Sequence, residues 1–147
     1  MTPHIHPLRF VLAVAAALLM LTSCADGIAA DDMWARPTAP GAEAAAFYGV
    51  IKNDSGGDTN LSEYYSPACG RIELHSTEMT DGVMEMRPAD AAVSILGDGD
   101  SLTLEPMGLH LMCLELVEPL VDGETTTLEM TFEGVEVVIV DVAIEDR

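Results

Sequence analysis

The stretch SLTLEPMGLHLMCLEL, residues 101–116, places core-forming side chains at alternate positions. A β-strand directs successive side chains to opposite faces of a sheet, so this alternation predicts strands with one buried face. In the second half of the stretch, Leu111 and Cys113 fall on the apolar face. His110 and Met112 then fall on the opposite face, where an imidazole and a thioether lie together outside the predicted core.

With this stretch included, the chain contains eight apolar segments of strand length, separated by turns rich in Gly, Asp and Asn. None of the segments has a helical period over three turns. They span residues 45–52, 71–77, 82–87, 91–96, 101–107, 108–116, 125–134 and 135–144. We therefore predict an all-β protein, an antiparallel sandwich or barrel, in which Leu102, Leu104, Leu128, Met130 and Phe132 face the core.

The first 23 residues are typical of a secretory signal. After a single arginine, residues 10–23 form an uncharged run of 14, which is shorter than the roughly 20 needed to span a bilayer. LTSC, at residues 21–24, resembles a bacterial lipobox. We expect residues 1–23 to be a lipoprotein signal peptide and Cys24 to anchor an extracytoplasmic protein to the bacterial cell membrane. An uncleaved anchor and ordinary cleavage near residues 29–30 are the alternatives.

Removal of the signal leaves 124 of the 147 residues, enough for one domain with its own core. Residues 24–44 contain Pro37, Pro40 and Gly41 and have no long apolar period. We predict that they form a tether, with Trp34 at the edge of the domain. Residues 45–147 are the predicted β domain.

The chain is strongly acidic. It has 25 Asp and Glu against 6 Lys and Arg, a net charge of -19, and all of its acids follow Cys24. Such a surface repels nucleic-acid phosphates and anionic lipid headgroups, which argues against both as partners. It keeps a secreted domain soluble and tolerates a bound cation.

The three cysteines need separate explanations. With Cys24 as the lipidation site, Cys69 and Cys113 remain as an even pair in an oxidising compartment, where a disulfide is the default. Two buried free thiols are one alternative, and Cys113 as a metal thiolate is another. Alternation disfavours the thiolate, because it places Cys113 on the face opposite His110 and Met112.

Two histidines follow the signal, His75 and His110, and each lies in a predicted strand with methionines close by. Met84 and Met86 share one face of their segment. Thioether sulfur is a soft, neutral ligand that suits Cu(I), imidazole suits both oxidation states of copper, and zinc prefers cysteine or carboxylate. Two imidazoles and two thioethers predict a Cu(I) site whose affinity falls only below about pH 6.5. The alternative is that the nine methionines fill the core.

These residues and the words around them resemble the PCu(A)C family of periplasmic or extracytoplasmic copper chaperones. The family signature is His, ten residues, Met, twenty-one residues, then His-x-Met. Here ten residues separate His75 from Met86, and the word HLM supplies His110 and Met112. SPACGRIELH, DGVMEMRP, LEPMGLHLM and EPLVDGETTTLEMTFE also match, and the resemblance covers about residues 33–144.

One spacing departs from this signature, because 23 residues separate Met86 from His110. We expect the two extra residues to lie in LGDGDS, residues 96–101. This is a turn composition, in which an insertion leaves the flanking strands in register. The ligand set is then preserved.

The resemblance implies a cupredoxin-like β-sandwich that holds one Cu(I) at an exposed edge and is not an enzyme. The ligands that it implies are His75, Met86, His110 and Met112. It also implies a structural disulfide between Cys69 and Cys113, and delivery of Cu(I) to the copper site of cytochrome c oxidase subunit II, directly or through a thiol-reducing partner. Met79, Met84 and Met107 are alternate ligands or an entry path, or else surface or packing methionines. Copper storage, a redox-active copper or disulfide protein, and a non-metal surface module are the rival interpretations.

Overall fold

The computed structural model describes residues 27–135 and 137–147, where the regular structure is β-strand apart from one 3₁₀ helix. The prediction of an all-β protein is confirmed. No helix in these residues is long and apolar enough to span a bilayer. The elements are β1 (Gly27–Ala35), β2 (Ala44–Asp54), β3 (Thr59–Tyr65), β4 (Cys69–Thr80), β5 (Val83–Pro88), the 3₁₀ helix (Ala91–Ser94), β6 (Ile95–Leu96), β7 (Ser101–Leu104), β8 (Leu109–Leu116), β9 (Thr125–Phe132) and β10 (Val138–Ile144).

Hydrogen bonds join the strands in the order β5-β4-β8-β2-β1-β10-β9-β3-β6. The edge of β2 that pairs with β8 at residues 44–47 pairs with β7 at residues 49–52. The strands pair antiparallel, as predicted, except that β1 and β10 run parallel. Strand β1 therefore joins the β8 and β2 side of the sheet to the β10 and β9 side.

One hydrophobic core gathers side chains from both halves of this strand order, so the sheet closes over itself as a sandwich. The predicted core positions of β7 are buried, with Leu102 and Leu104 at 7% and 3% exposure. Those of β9 are buried more completely, because Leu128 and Met130 are 0% exposed and Phe132 is 1% exposed. Full burial of a side chain of this size contributes about 1.5–3 kcal/mol.

The predicted tether over residues 24–44 is wrong for residues 27–35, which form β1, and β2 already begins at Ala44. β1 pairs with β2 on one side and β10 on the other, so this segment is an interior strand of the sheet. Trp34 does not lie at the edge of the domain. It is 8% exposed, and its ring centroid lies 4.7 Å from that of Tyr48 on β2.

A β-bulge in β1 explains why the sequence pattern did not predict this strand. The register with β2 shifts after Asp31, and Asp32 adopts a φ of 52°, so the period of two is broken inside the strand. Opposite the bulge, Gly49 has a φ of 146°, and a Cβ there would collide with the Met33 sulfur. β3 was not predicted either. It follows a glycine-rich turn, and its register against β9 shifts within the strand.

The predicted strand over residues 91–96 is instead a 3₁₀ helix followed by the two-residue strand β6. The next four residues form a turn, in which the Asp100 amide donates to the Gly97 carbonyl at 3.0 Å. The segment expected to take the two extra residues therefore contains a turn. The strands beyond it keep their register, since His75 on β4 pairs with His110 on β8.

Strands β4 and β5 form a hairpin closed by Asp81 and Gly82. Both residues have positive φ, 51° and 82°, which defines a type I′ turn, and Asp-Gly is a preferred sequence for it. The turn sets Met79 directly opposite Met84. All six residues of the edge strand β5 are exposed.

Candidate metal-binding site

Two histidines lie opposite each other across β4 and β8. The strand register pairs His75 with His110, and their ring centroids are 6.1 Å apart. Their neighbours Leu74 and Leu111 belong to the core cluster or pack against it, so alternation places both imidazoles on the other face of the sheet. The structure therefore brings together the two histidines that the sequence analysis selected.

His110 is buried, at 2% exposure, and the expectation of a copper site at an exposed edge is wrong for this residue. The Tyr48 ring packs beside it, with ring centroids 6.3 Å apart. His110 Nδ1 lies 3.1 Å from the Gly108 carbonyl, which can only accept, so Nδ1 donates and Nε2 keeps its lone pair. Burial lowers the pKa of His110, the Gly108 carbonyl partly opposes this, and His75 adds a smaller lowering.

His75 is oriented by a carboxylate on its own strand. Its Nε2 lies 2.9 Å from Glu73 Oε2 and donates to it, which leaves the lone pair on Nδ1. Glu73 also accepts a hydrogen bond from Arg71, whose Nη1 lies 3.2 Å from Oε1. The hydrogen bond from His75, with the Arg71 charge as a smaller contribution, holds the pKa of Glu73 below its usual range. The carboxylate is therefore ionised at neutral pH.

The other two ring nitrogens, His75 Nδ1 and His110 Nε2, are buried and have no hydrogen-bond partner among the described residues. Buried polar atoms in folded proteins are nearly always satisfied, so two unsatisfied nitrogens on paired imidazoles require an explanation. A histidine that ligates a metal usually donates its other N–H to a carboxylate or a backbone carbonyl. Each imidazole of this pair does so, which leaves one oriented lone pair on each ring for a metal ion.

The two predicted thioethers flank the histidine pair on the same face. Met86 lies opposite Thr77, towards the hairpin turn, and Met112 lies opposite Glu73, in the other direction along the strands. Both are diagonal neighbours of His75, and diagonal neighbours at about 7–8 Å are within reach of long side chains. Met86 is 54% exposed and Met112 is half-buried, so the thioethers lie closer to solvent than the imidazoles do.

No group of three or more His, Cys, Asp or Glu side chains that could hold a metal ion occurs within residues 27–135 and 137–147. Zinc and calcium sites are usually built from such groups. An imidazole pair with thioethers beside it suits a soft ion such as Cu(I) instead.

Cys69 and Cys113 form a disulfide that joins β4 to β8. Both belong to the core, at 8% and 0% exposure. The interpretation of Cys113 as a metal thiolate is therefore wrong, because its sulfur is bonded to Cys69 on the face away from His110. The disulfide connects the two histidine-bearing strands on their core side.

Sequence analysis missed two residues that surround the imidazoles. Glu73 precedes His75 by two positions in a strand, so their spacing alone indicates a shared face. Tyr48 is different, because it lies on β2 and reaches His110 only through the order of strands in the sheet. No local pattern identifies it.

Comparison with known proteins places the chain in a family. Residues 28–144 match the family described as "Putative lipoprotein LpqE-like", and since this match spans most of the chain, the chain belongs to that family. "Putative lipoprotein Lxx21020" of Leifsonia xyli subsp. xyli (strain CTCB07) is 29% identical over 147 aligned residues, which cover 90% of this chain and 87% of the relative.

Solved structures share the fold. One, described as "Copper-bound PCuAC domain from PmoF2", is 19% identical with a TM-score of 0.65, covering 82% of this chain and 93% of that one. Another, "Solution structure of CuI-DR1885 from Deinococcus Radiodurans", is 22% identical with a TM-score of 0.58, covering 84% and 83%. This chain therefore has the β-sandwich fold of PCuAC domains, as the sequence resemblance implied.

Proposed function

We propose that this protein is an extracytoplasmic carrier that binds one Cu(I) ion through His75, Met86, His110 and Met112. The observation that carries the proposal is the pair of buried imidazole nitrogens that have no hydrogen-bond partner in the part of the chain that the structure describes. The fold supports it, because two proteins with the same fold are described as copper-bound and as a Cu(I) form.

The proposed donor set favours Cu(I) in an oxidising compartment. Two neutral imidazoles and two thioethers supply no charge, and thioether sulfur is soft, so a soft monovalent ion is preferred over zinc. None of these donors is a thiol, so none is lost to disulfide formation. The two cysteines of the described domain are already joined to each other.

A carrier needs ligands that can be exchanged, and the half-exposed Met86 is the donor that an acceptor protein reaches first. The rival disulfide-redox function is disfavoured, since Cys113 is fully buried and out of reach of a substrate thiol. We therefore propose that the protein transfers copper by ligand exchange and catalyses no reaction.

We propose that lipidated Cys24 holds the protein on the bacterial cell membrane, in keeping with the lipoprotein names of its family and relative. Cys24 and the predicted signal peptide, residues 1–23, lie outside the described residues. Mass spectrometry of the membrane-extracted protein, beside a Cys24→Ala variant, tests this. An acylated N-terminal cysteine supports the anchor, and a polypeptide that starts near residue 30 contradicts it.

The test of the copper site is an anaerobic titration with Cu(I) against a competing chelator. We expect wild type to hold one equivalent. Met86→Leu and Met112→Leu each remove a sulfur at nearly constant volume and should weaken binding by about tenfold or more, equivalent to about 1.4 kcal/mol or more.

Met130→Leu is the matched control, because Met130 is a fully buried methionine of β9. It should bind Cu(I) as wild type does. If the Met86 and Met112 variants also bind as wild type does, the thioethers are not ligands. If wild type ignores Cu(I), the non-metal surface module replaces the proposal.

We further propose that the acceptor is the copper-binding domain of cytochrome c oxidase subunit II. Mixing the Cu(I)-loaded protein with that domain should move the ion to the acceptor, as seen from the acceptor's own absorption after oxidation. If the Cu(I) stays on this protein while other acceptors are loaded, delivery to this oxidase is excluded, and retention against all acceptors favours copper storage.

A further inference from the structure

Three methionines are strongly exposed beside the candidate site without being part of its proposed ligand set. Met79 is 67% exposed, Met84 52% and Met107 73%. Methionine is an apolar residue that ordinarily fills cores, as the fully buried Met130 does here. Exposed apolar side chains that cluster in one place generally mark a binding site.

The hairpin register brings two of these thioethers together. Met79 on β4 and Met84 on β5 are direct cross-strand partners, and the side chains of such partners share one face, with Cβ atoms about 4.5–5.5 Å apart. Met79 is four residues from His75 on the same strand, so it lies on the face that carries the imidazole. Met86 follows on that face, opposite Thr77.

The third thioether approaches from the other side of β4. The Thr77 amide donates to the Gly108 carbonyl at 3.1 Å, which puts the turn before β8 alongside β4 near the hairpin. Met107 is the residue before Gly108 and has a φ of 64°, a conformation that ordinarily selects glycine or asparagine. A long, exposed side chain held in this strained position is typical of a functional site.

We propose that Met79, Met84 and Met107 form a second, thioether-only site for a soft monovalent ion, Cu(I) or Ag(I). The ion passes from this site through Met86 to the histidine pair. This inference rests on the proposed function of the histidine pair. The inference is carried by the placement of three thioethers around β4. Met79 and Met84 form a cross-strand pair on the β5 side, and Met107, with its strained backbone, lies on the β8 side. Both positions adjoin the proposed copper ligands.

The transfer is an exchange of neutral donors and involves no electron or proton. A Cu(I) ion held by thioethers gains Met86 as it releases Met84 or Met79, and then gains the imidazole nitrogens, which bind it more firmly. The same methionines could instead be an apolar docking surface for a protein. Replacement by leucine separates the two, because leucine keeps the apolar surface and removes the sulfur.

The first experiment is an NMR titration of the full chain labelled with ¹³C at the methionine methyl groups, with Ag(I) as a redox-inert probe. The first equivalent should shift the methyl signals of Met86 and Met112. Further equivalents should shift those of Met79, Met84 and Met107. The core methionines Met33 and Met130 report on the fold and should not move.

The second experiment measures the rate at which Cu(I) loads from a chelate onto a triple variant, Met79→Leu, Met84→Leu and Met107→Leu. Loading should slow by about tenfold, within the one to three decades over which association rates vary among mutants of one site. Binding of the first equivalent at equilibrium should stay as in wild type. Val83→Leu alters an exposed apolar residue of the same hairpin without removing sulfur, and should load at the wild-type rate.

The outcomes are distinguishable. If Met86 and Met112 respond to Ag(I) while the other three exposed methionines never do, the second site is overturned and the histidine site stands. If only the three respond, the second site stands and the histidine site fails. Loading of the triple variant at the wild-type rate overturns the relay and leaves the apolar docking surface.

Discussion

Each imidazole of the candidate site has one ring nitrogen in a hydrogen bond and one without a partner within residues 27–135 and 137–147. His75 donates through Nε2 to Glu73, and His110 donates through Nδ1 to the Gly108 carbonyl. The two rings are therefore opposite tautomers, fixed by their partners. Because burial lowers the pKa of His110, its free nitrogen is unprotonated at neutral pH, and an incoming ion has no proton to displace there.

Glu73 should affect the metal without touching it. Glu73→Gln keeps a hydrogen-bond acceptor beside His75 but removes the charge, and we expect Cu(I) affinity to fall by about 10- to 100-fold, the usual effect of losing such a partner. Chelator competition measures this. Glu115→Gln is the control, since Glu115 also approaches Arg71, at 3.5 Å, but is not a partner of His75. An equal loss in both variants would mean that only the general negative charge matters.

The stability of the copper-free protein should fall on mild acidification. Burial, with a smaller effect of His75, puts the pKa of folded His110 below its ordinary 6.5, so the unfolded chain takes up this proton first. The contribution of neutral His110 is complete above about pH 6.5 and is lost as pH falls through the folded pKa. Between pH 7.5 and 5, Tm should drop more in wild type than in His110→Gln. Parallel Tm profiles would contradict this assignment.

At the scale of elements, β4 and β8 carry the site on one face and the disulfide on the other. Replacing both Cys69 and Cys113 with alanine should lower the free energy of unfolding by about 2–4 kcal/mol, because the unfolded chain loses a cross-link over 44 residues. Urea titration measures this. Cu(I) stoichiometry should stay at one while the domain is folded, and loss of copper from a folded variant would assign a ligand role to the thiols.

A strand can be predicted from the sequence where its apolar residues recur at every second position, and it is missed where that alternation is interrupted. β8 alternates from Leu109 to Cys113, so its core face and the placement of His110 and Met112 on the opposite face were predictable. β1 and β3 have register shifts, and β1 was mistaken for a tether because its bulge at Asp31 and Asp32 interrupts the apolar pattern. The period of two is a property of the regular strand, and a single extra residue destroys it.

The candidate site was predictable to the same extent. Alternation selects the face that carries His75 and His110, since it depends only on neighbours along each strand. The burial of His110 was not predictable, because it depends on Tyr48. This residue lies on β2, and only the order of strands in the folded sheet brings it next to His110. The tautomer of His110 was not predictable either, because the Gly108 carbonyl comes within hydrogen-bond distance of His110 Nδ1 only in the folded turn.

At the scale of the whole molecule, β1 is the strand that joins the two halves of the sandwich. Trp34 packs on Tyr48 and lies beneath the guanidinium groups of Arg36 and Arg147, at 5.8 and 5.2 Å from its ring centroid. Trp34→Ala should lower the free energy of unfolding by about 3–5 kcal/mol, measured by circular dichroism in urea. Tyr65→Ala, at an exposed aromatic residue of β3, should have a smaller effect. Similar effects in both would make β1 a peripheral strand.

The early start of β1 also limits how far from the membrane the proposed Cu(I) site can lie. Only three residue steps separate Cys24 from Gly27, a span of at most about 11 Å, whereas a tether to residue 45 would have spanned roughly 70 Å. From Gly27 to Trp34, whose cross-strand partner Tyr48 packs beside His110, the strand adds about 23 Å at 3.3 Å per residue. If Cys24 is lipidated and the chain carries Cu(I), as proposed, the ion is confined to a shell a few nanometres thick above the bilayer. Its recipient must present its own copper site inside that shell, which restricts exchange to partners held on the same membrane or pressed against it.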